Sequence, residues 1–467
     1  MSMTGNIYGL DVKRGPKAIE INGVNFGTHF YSFEESRDYY EKFAKALAEH
    51  NDGPIFFGAY EDFNLNIDGR KERIRKEMES KKRRLEYLDS VLEGHFSIDT
   101  SWIDDLRDYR LKSAEKEPKN EWKYYKEGAR EAGVPMFFYK RIISREDEFE
   151  FELINEKTVR IDKDDVGAIF GSSSTVKHLD QDEKHFLNSR MIEKTLDYKP
   201  SFQFMLDLAY LEKESDEGWA MDLIESFPEA VTVGLGVGRY SDLEEWLNLL
   251  KEEGDDKVVK KRGGSYCGAG VSIMDIDRTI QGIQEYKDCE NGMDWIGRIA
   301  PNLDNLLFYD LFTVYERFHD SEPIISNDTG KRHDGCARVA VYSPEDADPI
   351  VLDGQWRLSP TPVDGGEDLN QTHRVNMSRG AMAQPFNDRD REEIFDFSKD
   401  VIKNFERAEE NMENFIEGQR FIDNKNEIKS ALWYFETMLT NSSIEDIISL
   451  ALAGQEGSGV ELEIVED

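Results

Sequence analysis

Apolar and polar residues alternate along this chain with two periods, one of about two residues and one of between three and four, which are typical of strands and helices respectively. In the first 132 residues these patterns predict strands at 6–12, 18–21 and 54–60, a helix over 33–49 and a helical stretch within 67–132. The chain therefore opens as a small α+β unit, and highly charged helices follow it.

Strands return in the middle of the chain, with Asn155-Glu156 as the turn of a hairpin. The predicted strands are 136–143, 148–154, 158–161 and 166–170, and a helical stretch over 182–226 comes after them. A strand at 230–235 then leads through three glycines into a helix. Ser241 opens that helix, and Glu244 completes a capping box.

The next stretch, 254–270, is rich in Gly and Lys, and we interpret it as an internal loop or a domain boundary. Residues 277–318 have helical periodicity. A β-hairpin or short meander is predicted at 337–342, 349–352 and 355–358. A linker containing several Pro and Gly residues, 359–385, connects it to the C-terminal helices.

These elements predict an α+β, multidomain fold with mixed short sheets, long charged helices and a helical C-terminal region. The predicted units are a small α+β unit (1–66), a charged helical segment (67–132), a mixed β and helical domain (133–253), a helical plus β-hairpin region (254–387) and the C-terminal helices (388–467). The apolar fraction, 39%, is sufficient to build hydrophobic cores for several domains.

One predicted helix, 388–417, carries an apolar stripe about four heptads long. We predict that this stripe is an oligomer seam formed by Ile394, Phe397, Val401, Phe405, Met412 and Phe415. A helix of this length with a narrow apolar stripe usually needs a partner along much of its length. A homo-oligomer or larger assembly is the expected partner, and a partner within the same chain is the alternative.

The charge of the chain is its most unusual property, with 96 acidic against 59 basic residues and a formal net charge of −37. At low ionic strength such an excess costs folding free energy through self-repulsion, whereas molar salt screens it. The acidic residues are distributed along the chain, which predicts a salt-adapted protein. Lys outnumbers Arg and Glu outnumbers Asp. That composition favours the alternative, an ordinary acidic protein.

One segment, 70–84, has the opposite charge, with nine basic and three acidic residues. The basic residues are Arg70, Lys71, Arg73, Arg75, Lys76, Lys81, Lys82, Arg83 and Arg84. Attraction to the acidic remainder of the molecule, or to a neighbouring copy, is one explanation of this cluster. Contact with the phosphates of a nucleic acid is the other, because clustered Lys and Arg side chains release counterions there.

The sequence also indicates where the protein works. Its N-terminus has no basic segment followed by an apolar one, and no uninterrupted apolar run reaches 18 residues. The three cysteines are widely spaced, which is unlike a disulfide framework. We therefore expect no membrane partner and a location in the cytoplasm, or within a virus particle, of an organism that lives at high salt.

Candidate chemistry is sparse. Gly234, Gly236 and Gly238 do not follow a dinucleotide or P-loop spacing, so we interpret them as a structural turn. His333 and Cys336 supply one close pair of zinc-ligand types, where structural zinc usually requires two such pairs. We predict no cofactor and no bound metal. The catalytic signatures that we considered are absent, which favours binding or assembly over catalysis.

The tail between 428 and 454 contains the runs Ala431-Leu432-Trp433-Tyr434-Phe435 and Ile447-Ile448-Ser449-Leu450. It resembles the early helices of HEPN domains, which occur in prokaryotic defence proteins and include ribonucleases. Two functions follow as expectations. The first is a structural or assembly protein within a larger complex, of viral or mobile-element origin. The alternative, which the resemblance implies, is a HEPN-type ribonuclease or defence protein that contacts RNA through the basic segment.

Overall fold

The computed structural model describes most of the chain. Its continuous described ranges are 5–23, 33–51, 53–58, 67–91, 121–170, 185–188, 218–234, 240–262, 271–287, 312–365 and 381–417, and its isolated described positions are 107, 111, 196, 199, 202, 203, 205, 206, 209, 372, 373 and 375. Helices and several short sheets together form these ranges, so the fold class is α+β, as predicted.

The first sheet joins strands from both ends of the chain. Its strands are β1 (Asn6–Lys13), β2 (Lys17–Asn22), β14 (Gly335–Ser343), β15 (Ile350–Leu358) and β16 (Met382–Gln384). They are antiparallel in the order β16-β15-β14-β1-β2. The predicted hairpin is therefore confirmed. The two short strands predicted at 349–352 and 355–358 are one continuous strand.

A large core covers one face of the first sheet. Two helices pack there, α4 (Trp219–Ser226) and α7 (Asp388–Glu417), the second with the predicted bounds. The core includes Tyr8, Leu10, Val12, Trp356 and Leu358 from the strands, and Leu223, Ile394, Val401, Ile402 and Phe405 from the helices. Burial of this many large apolar side chains is the main source of stability in this part of the molecule.

The second sheet is mixed. Its strands are β3 (Ile55–Gly58), β4 (Met136–Ser144), β5 (Glu148–Leu153), β6 (Thr158–Asp162) and β7 (Ala168–Phe170), in the order β6-β5-β4-β3-β7. Strand β3 is parallel to both β4 and β7. The four strands predicted between 136 and 170 are confirmed. The predicted turn at Asn155-Glu156 is also confirmed, and Glu156 adopts a left-handed φ of 64° there.

Two helices lie between the first and second sheets. They are α1 (Phe33–His50) and α3 (Glu121–Ala132), and they share a core with both sheets through Tyr39, Phe43, Phe57, Tyr125 and Tyr342. Gly128 permits their close approach, because a Cβ atom there would lie 2.5 Å from the backbone of Tyr40.

The third sheet is four-stranded and antiparallel, in the order β10-β9-β11-β8. Its strands are β8 (Ala230–Gly234), β9 (Lys257–Arg262), β10 (Val271–Asp275) and β11 (Phe312–Arg317). The helices α5 (Tyr240–Glu253) and α6 (Ile276–Lys287) share a core with it that includes Leu243, Leu247, Val258, Ile283 and Tyr315.

Three sequence predictions are wrong in this sheet. Residues 257–262 form an inner strand instead of a loop, and 312–317 form a strand instead of the end of a helix. Helix α5 begins at Tyr240, so Ser241 lies in its first turn and is not the N-cap. The segment around β9 looks like a loop because Lys residues dominate it, yet Val258 is fully buried and Lys261 has a buried acidic partner.

The strand pairings also cross the predicted units. Strand β1, from the predicted unit 1–66, pairs with β14, from the predicted region 254–387. The predicted boundary after residue 253 falls inside the third sheet, where β8 and β9 both pair with β11.

Two further elements complete the described fold. The charged helix α2 covers Ile67–Val91, and a two-stranded ribbon joins β12 (Ile324–Ile325) to β13 (Arg332–His333). Among the residues described, no helix has both the length and the apolar character needed to cross a bilayer.

Candidate functional site

The most unusual surface of the first sheet is the face opposite its large core. Along β1, Asp11 and Lys13 alternate with Leu10 and Val12, which belong to the core. Residues with polar side chains on this face align across four strands. We name this surface the charged face, and its residues are Asp11, Lys13, Lys17, Glu20, Arg338, Gln355 and Arg357.

At the centre of the charged face, two arginines share one carboxylate. The Arg338 guanidinium donates through Nε to Asp11, and its Nη2 lies 2.7 Å from Asp11 Oδ2. The Arg357 Nη1 atom lies 3.8 Å from the same carboxylate. Gln355 is 4% exposed, and its amide nitrogen has no hydrogen-bond partner in the described part of the chain. Buried polar groups are normally paired, so this part of the face has unused hydrogen-bonding capacity.

A second group of charges connects the charged face to the third sheet. Lys261 donates to the Glu316 carboxylate at 2.5 Å and to the Ile19 carbonyl at 3.3 Å, while Lys199 lies 3.2 Å from Glu20. Burial opposes ionisation of Glu20, yet the three cations Lys199, Lys261 and Arg338 lower its pKa to about 2. Burial raises the pKa of Glu316 in spite of its ion pair with Lys261.

At the end of β1, Asp334 holds three partners. It forms an ion pair with Lys13, its Oδ2 lies 3.2 Å from His373 Nδ1, and its Oδ1 accepts a hydrogen bond of 3.3 Å from Ser321. Burial opposes ionisation of Asp334, but Lys13 and His373 outweigh it and lower the pKa of that carboxyl. A carboxylate that holds an imidazole Nδ1 in this way fixes the orientation of the ring.

A second imidazole, His319, lies close to the same lysine. Burial, followed by the positive charges of Lys17 and Lys13, lowers the pKa of His319. A hydrogen bond with the Arg14 backbone acts in the opposite direction. The Nε2 atom of His319 is buried and has no hydrogen-bond partner in the described part of the chain.

The two zinc-ligand types noted in the sequence, His333 and Cys336, have other partners or surroundings among the described residues. The His333 ring bonds the Ser359 carbonyl at 2.7 Å and the Thr329 hydroxyl at 3.0 Å. Burial, with a smaller contribution from Asp11, raises the pKa of the Cys336 thiol, so this sulfur stays protonated. The described residues contain no group of three or more His, Cys, Asp or Glu that would hold a metal ion.

The predicted basic segment lies on α2. Arg75, Lys76 and Arg83 have side chains that are 55%, 74% and 71% exposed, and they pair with Glu72 and Glu79 of the same helix at 3.5–3.8 Å. Arg73 is also exposed, whereas Lys71 and Lys82 are half-buried. Arg70, Lys81 and Arg84 lie in the helix, and their side chains are outside the described set. Among the described residues, the ion pairs of Arg75, Lys76 and Arg83 thus all lie within α2.

A shallow acidic groove lies on α5. The groove is lined by Glu244, Glu245, Asn248, Leu249 and Glu252, and Leu249 is 53% exposed. Large apolar side chains with this exposure are uncommon in the described residues, where Ile325 is the other example. An exposed apolar side chain with acidic neighbours suits a partner that is both apolar and basic.

The predicted oligomer seam belongs largely to the core of the chain itself. Ile394, Val401 and Phe405 are at most 3% exposed, and the Phe405 ring lies 5.7 Å from the ring of Tyr8. Phe397 packs at the edge of the same core. These four residues therefore have an intramolecular partner, the first sheet, which corrects the seam prediction for them. The side chains of Met412 and Phe415 lie outside the described set.

Comparison of the sequence with known protein families and with characterised proteins finds no match. The tail segment 428–454, which carries the resemblance to HEPN domains, lies outside the described residues. The sequence reasoning missed the charged face. Its signal was present in β1, β14 and β15, where single charged residues alternate with buried apolar ones.

Proposed function

We propose that this protein acts by assembly, with the basic helix α2 of one copy binding the acidic groove of α5 on a second copy. The observation that carries this proposal is how Arg75, Lys76 and Arg83 form ion pairs with acidic residues of their own helix. Their described ion pairs lie within α2 and leave more than half of each side chain exposed. Exposed pairs of this kind are weak, so the three cations remain available to a stronger partner.

The charge of the chain favours a second copy as that partner. Residues 70–84 carry a local net charge of about +6, by count of their basic and acidic side chains, against −37 for the whole chain. The groove on α5 supplies Glu244, Glu245 and Glu252 together with the exposed Leu249. Ile74, half-buried on α2, provides an apolar side chain to meet Leu249. Charge complementarity thus sets orientation, and the apolar contact adds affinity.

Such a contact is heterologous, because two different surfaces meet. Contacts of this type generate rings when the rotation closes and filaments when it does not. This geometry supports the expectation of a structural or assembly protein within a larger complex.

We propose in addition that the assembly works at high salt, in the cytoplasm or within a virus particle of a salt-adapted organism. The net charge supports this proposal, because molar salt relieves repulsion between acidic copies. The apolar part of the contact would not be weakened by such screening, whereas the charged part would be.

A nucleic acid is the second candidate partner for α2. The clustering of its cations on one exposed helix favours this candidate, since clustered cations are what phosphate contacts require. A HEPN-type ribonuclease or defence protein that contacts RNA through α2 remains the corresponding alternative function.

A charge-swap experiment tests the assembly proposal. We expect R75E/K76E/R83E to raise the dissociation constant of the assembly by about tenfold or more, because three complementary charges become repulsive. The particle mass should shift toward that of the monomer. Mixing that variant with E245K/E252K should give a mixed assembly, because an acidic α2 on one chain then meets a basic α5 groove on the other. Mass photometry at 0.2 M and 2 M KCl measures both, and K399E/K403E on α7 is the matched control.

Two results would contradict the proposal. One is a strict monomer for the unmodified protein at micromolar concentration in both salts. The other is an assembly whose mass is unchanged in the α2 variant. If that variant also loses RNA or DNA binding, the partner of α2 is a nucleic acid.

A further inference from the structure

We infer that strand β6 (Thr158–Asp162), at the open edge of the second sheet, pairs with β6 of a second copy in an antiparallel, twofold-symmetric contact. The strand order β6-β5-β4-β3-β7 gives β6 one neighbouring strand among the described residues, β5. The contact uses neither α2 nor α5, so the inference goes beyond the proposed assembly function and does not depend on it.

The hydrogen bonds of β6 show which of its backbone groups face the open edge. At the two ends of the pairing with β5, the Leu153 N–H donates to the Lys157 carbonyl at 2.8 Å, and the Lys163 N–H donates to the Asp147 carbonyl at 2.9 Å. Bonded and non-bonded pairs alternate in an antiparallel ladder, and the register between these two ends has no shift. The N–H and C=O groups that point away from β5 therefore belong to Thr158, Arg160 and Asp162.

The open edge is accessible. Thr158, Arg160 and Asp162 are exposed, and their outward N–H and C=O groups have no hydrogen-bond partner among the described residues. Strand β6 contains no proline, and its pairing with β5 contains no bulge, two features that often protect such an edge. An unprotected edge of this kind is a template for another strand.

A second copy is the occupant because β6 is complementary to itself. When two copies pair in antiparallel orientation about Arg160, Thr158 of each copy lies opposite Asp162 of the other. The Asp162 side chain makes no capping bond to the 3₁₀ turn that follows it, so its carboxylate can accept a hydrogen bond from the Thr158 hydroxyl. The three outward-facing pairs together supply about six main-chain hydrogen bonds.

The inner face of the paired strands is apolar. Val159 and Ile161 are half-buried and pack against the core of the second sheet. In the proposed register, Val159 of one copy lies opposite Ile161 of the other, and cross-strand pairs of apolar side chains stabilise a sheet. The core therefore continues from one copy into the next, and apolar surface is removed from water.

The charges on the outer face fit the same register. The two Arg160 residues lie opposite each other at the twofold axis, which by itself is unfavourable. However, the Arg160 Nε lies 2.8 Å from Glu150 Oε2 on β5 of its own copy, so the guanidinium is directed away from the axis. Asp162 of the other copy is the diagonal neighbour of Arg160, and this attraction offsets the remaining repulsion.

A cysteine at the twofold axis tests this register. R160C should form a disulfide with the same position of the second copy, because opposite bonded residues have Cα atoms about 5.5 Å apart, which a disulfide spans. T158C is the matched control, since its two cysteines would lie four positions apart, about 13 Å along the ladder. On non-reducing gels after oxidation, R160C should dimerise about tenfold faster or more than T158C and the unmodified chain.

A proline substitution provides a second measurement. R160P removes the outward N–H and retains the bonds to β5, because proline is tolerated in an edge strand where its missing N–H faces solvent. R160A keeps that N–H and is the control. Relative to R160A, R160P should raise the dissociation constant of the β6 contact by about tenfold or more. Sedimentation in 2 M KCl measures both constants, with R75E/K76E/R83E also present in each chain to remove the α2 contact.

The outcomes separate this inference from the proposed function. R160C should crosslink at the same rate with and without the α2 charge reversal, whether or not α2 binds α5. Equal crosslinking of R160C and T158C would overturn the inference, as would equal dissociation constants for R160P and R160A. Thermal melting of each variant identifies loss of fold. A mixture of T158C and D162C then decides, because it should crosslink where neither variant does so alone, and no crosslinking in the mixture would also overturn the inference.

Discussion

The ammonium group of Lys261 lies 2.5 Å from the carboxylate of Glu316, on the neighbouring strand of the third sheet, and it also donates to the Ile19 carbonyl in the first sheet. Both side chains are strongly buried, at 8% and 14% exposure. One lysine thus joins two sheets through a charge and a backbone group. Breaking a buried pair by removing one partner is costly, because the other charge remains without compensation.

We therefore expect K261M to lower the free energy of unfolding by about 3 to 5 kcal/mol. Urea or guanidinium denaturation in 2 M KCl measures this value. The control is K399M on α7, where an exposed lysine pairs with Asp396 at 3.7 Å and should contribute less than about 1 kcal/mol. Equal effects of the two substitutions would show that the contact between the sheets does not depend on Lys261.

Glu20 predicts a specific dependence of stability on pH. Burial opposes the ionisation of Glu20, but Lys199, Lys261 and Arg338 face it and lower its pKa on folding from 4.5 to about 2. A lowered pKa means that the folded state holds the charged form. Its contribution is therefore complete above pH 4.5 and is lost as the pH falls toward 2.

The expected size of this contribution is about 2 kcal/mol, which allows for the screening of a side chain that remains one-third exposed. Unfolding of the unmodified chain and of E20Q should differ by this amount at pH 6. The difference should shrink steadily between pH 4.5 and 2. A difference that stays constant over this interval would contradict the assignment to Glu20.

Phe405 is fully buried between α7 and the first sheet, where its ring meets Tyr8 and Phe202. F405A should lower the free energy of unfolding by about 3 to 5 kcal/mol, because it leaves a cavity in the core. Particle mass under native conditions should not change, since this stripe packs within one chain. I325A, at an exposed apolar position, is the control and should have little effect on stability.

Salt should stabilise the fold. The net charge of −37 is the sum of charges spread along the chain, and KCl screens their mutual repulsion. We expect the melting temperature to rise by about 5 °C or more between 0.1 M and 2 M KCl. Sodium perchlorate at equal ionic strength separates screening from salt exclusion, because both salts screen charge. A melting temperature that is flat in KCl would remove the case for salt adaptation.

The sequence by itself determined the elements whose periodicity is strong and local. Helix α7 has the predicted bounds, 388–417, because its apolar positions recur every three or four residues and most of its polar positions face solvent. The strands between 136 and 170 were predicted from a different local pattern, the alternation of apolar and polar residues with a period of two, and burial alternates in this way in β5. The basic character of α2 was likewise visible in the sequence, since exposed cations need no partner to be recognised.

Only the tertiary structure decided which surfaces these elements cover and which charges become buried. The apolar stripe of α7 packs on the first sheet, whereas its sequence predicted a second copy as the partner and left a partner within the same chain as the alternative. The lysine-rich β9 is an inner strand because Glu316, 55 residues after Lys261, neutralises a charge that would otherwise keep this segment at the surface. Asp334, His373 and Lys13 meet for a similar reason, since strand pairing brings distant residues together. Local periodicity carries no information about partners that are so remote in sequence.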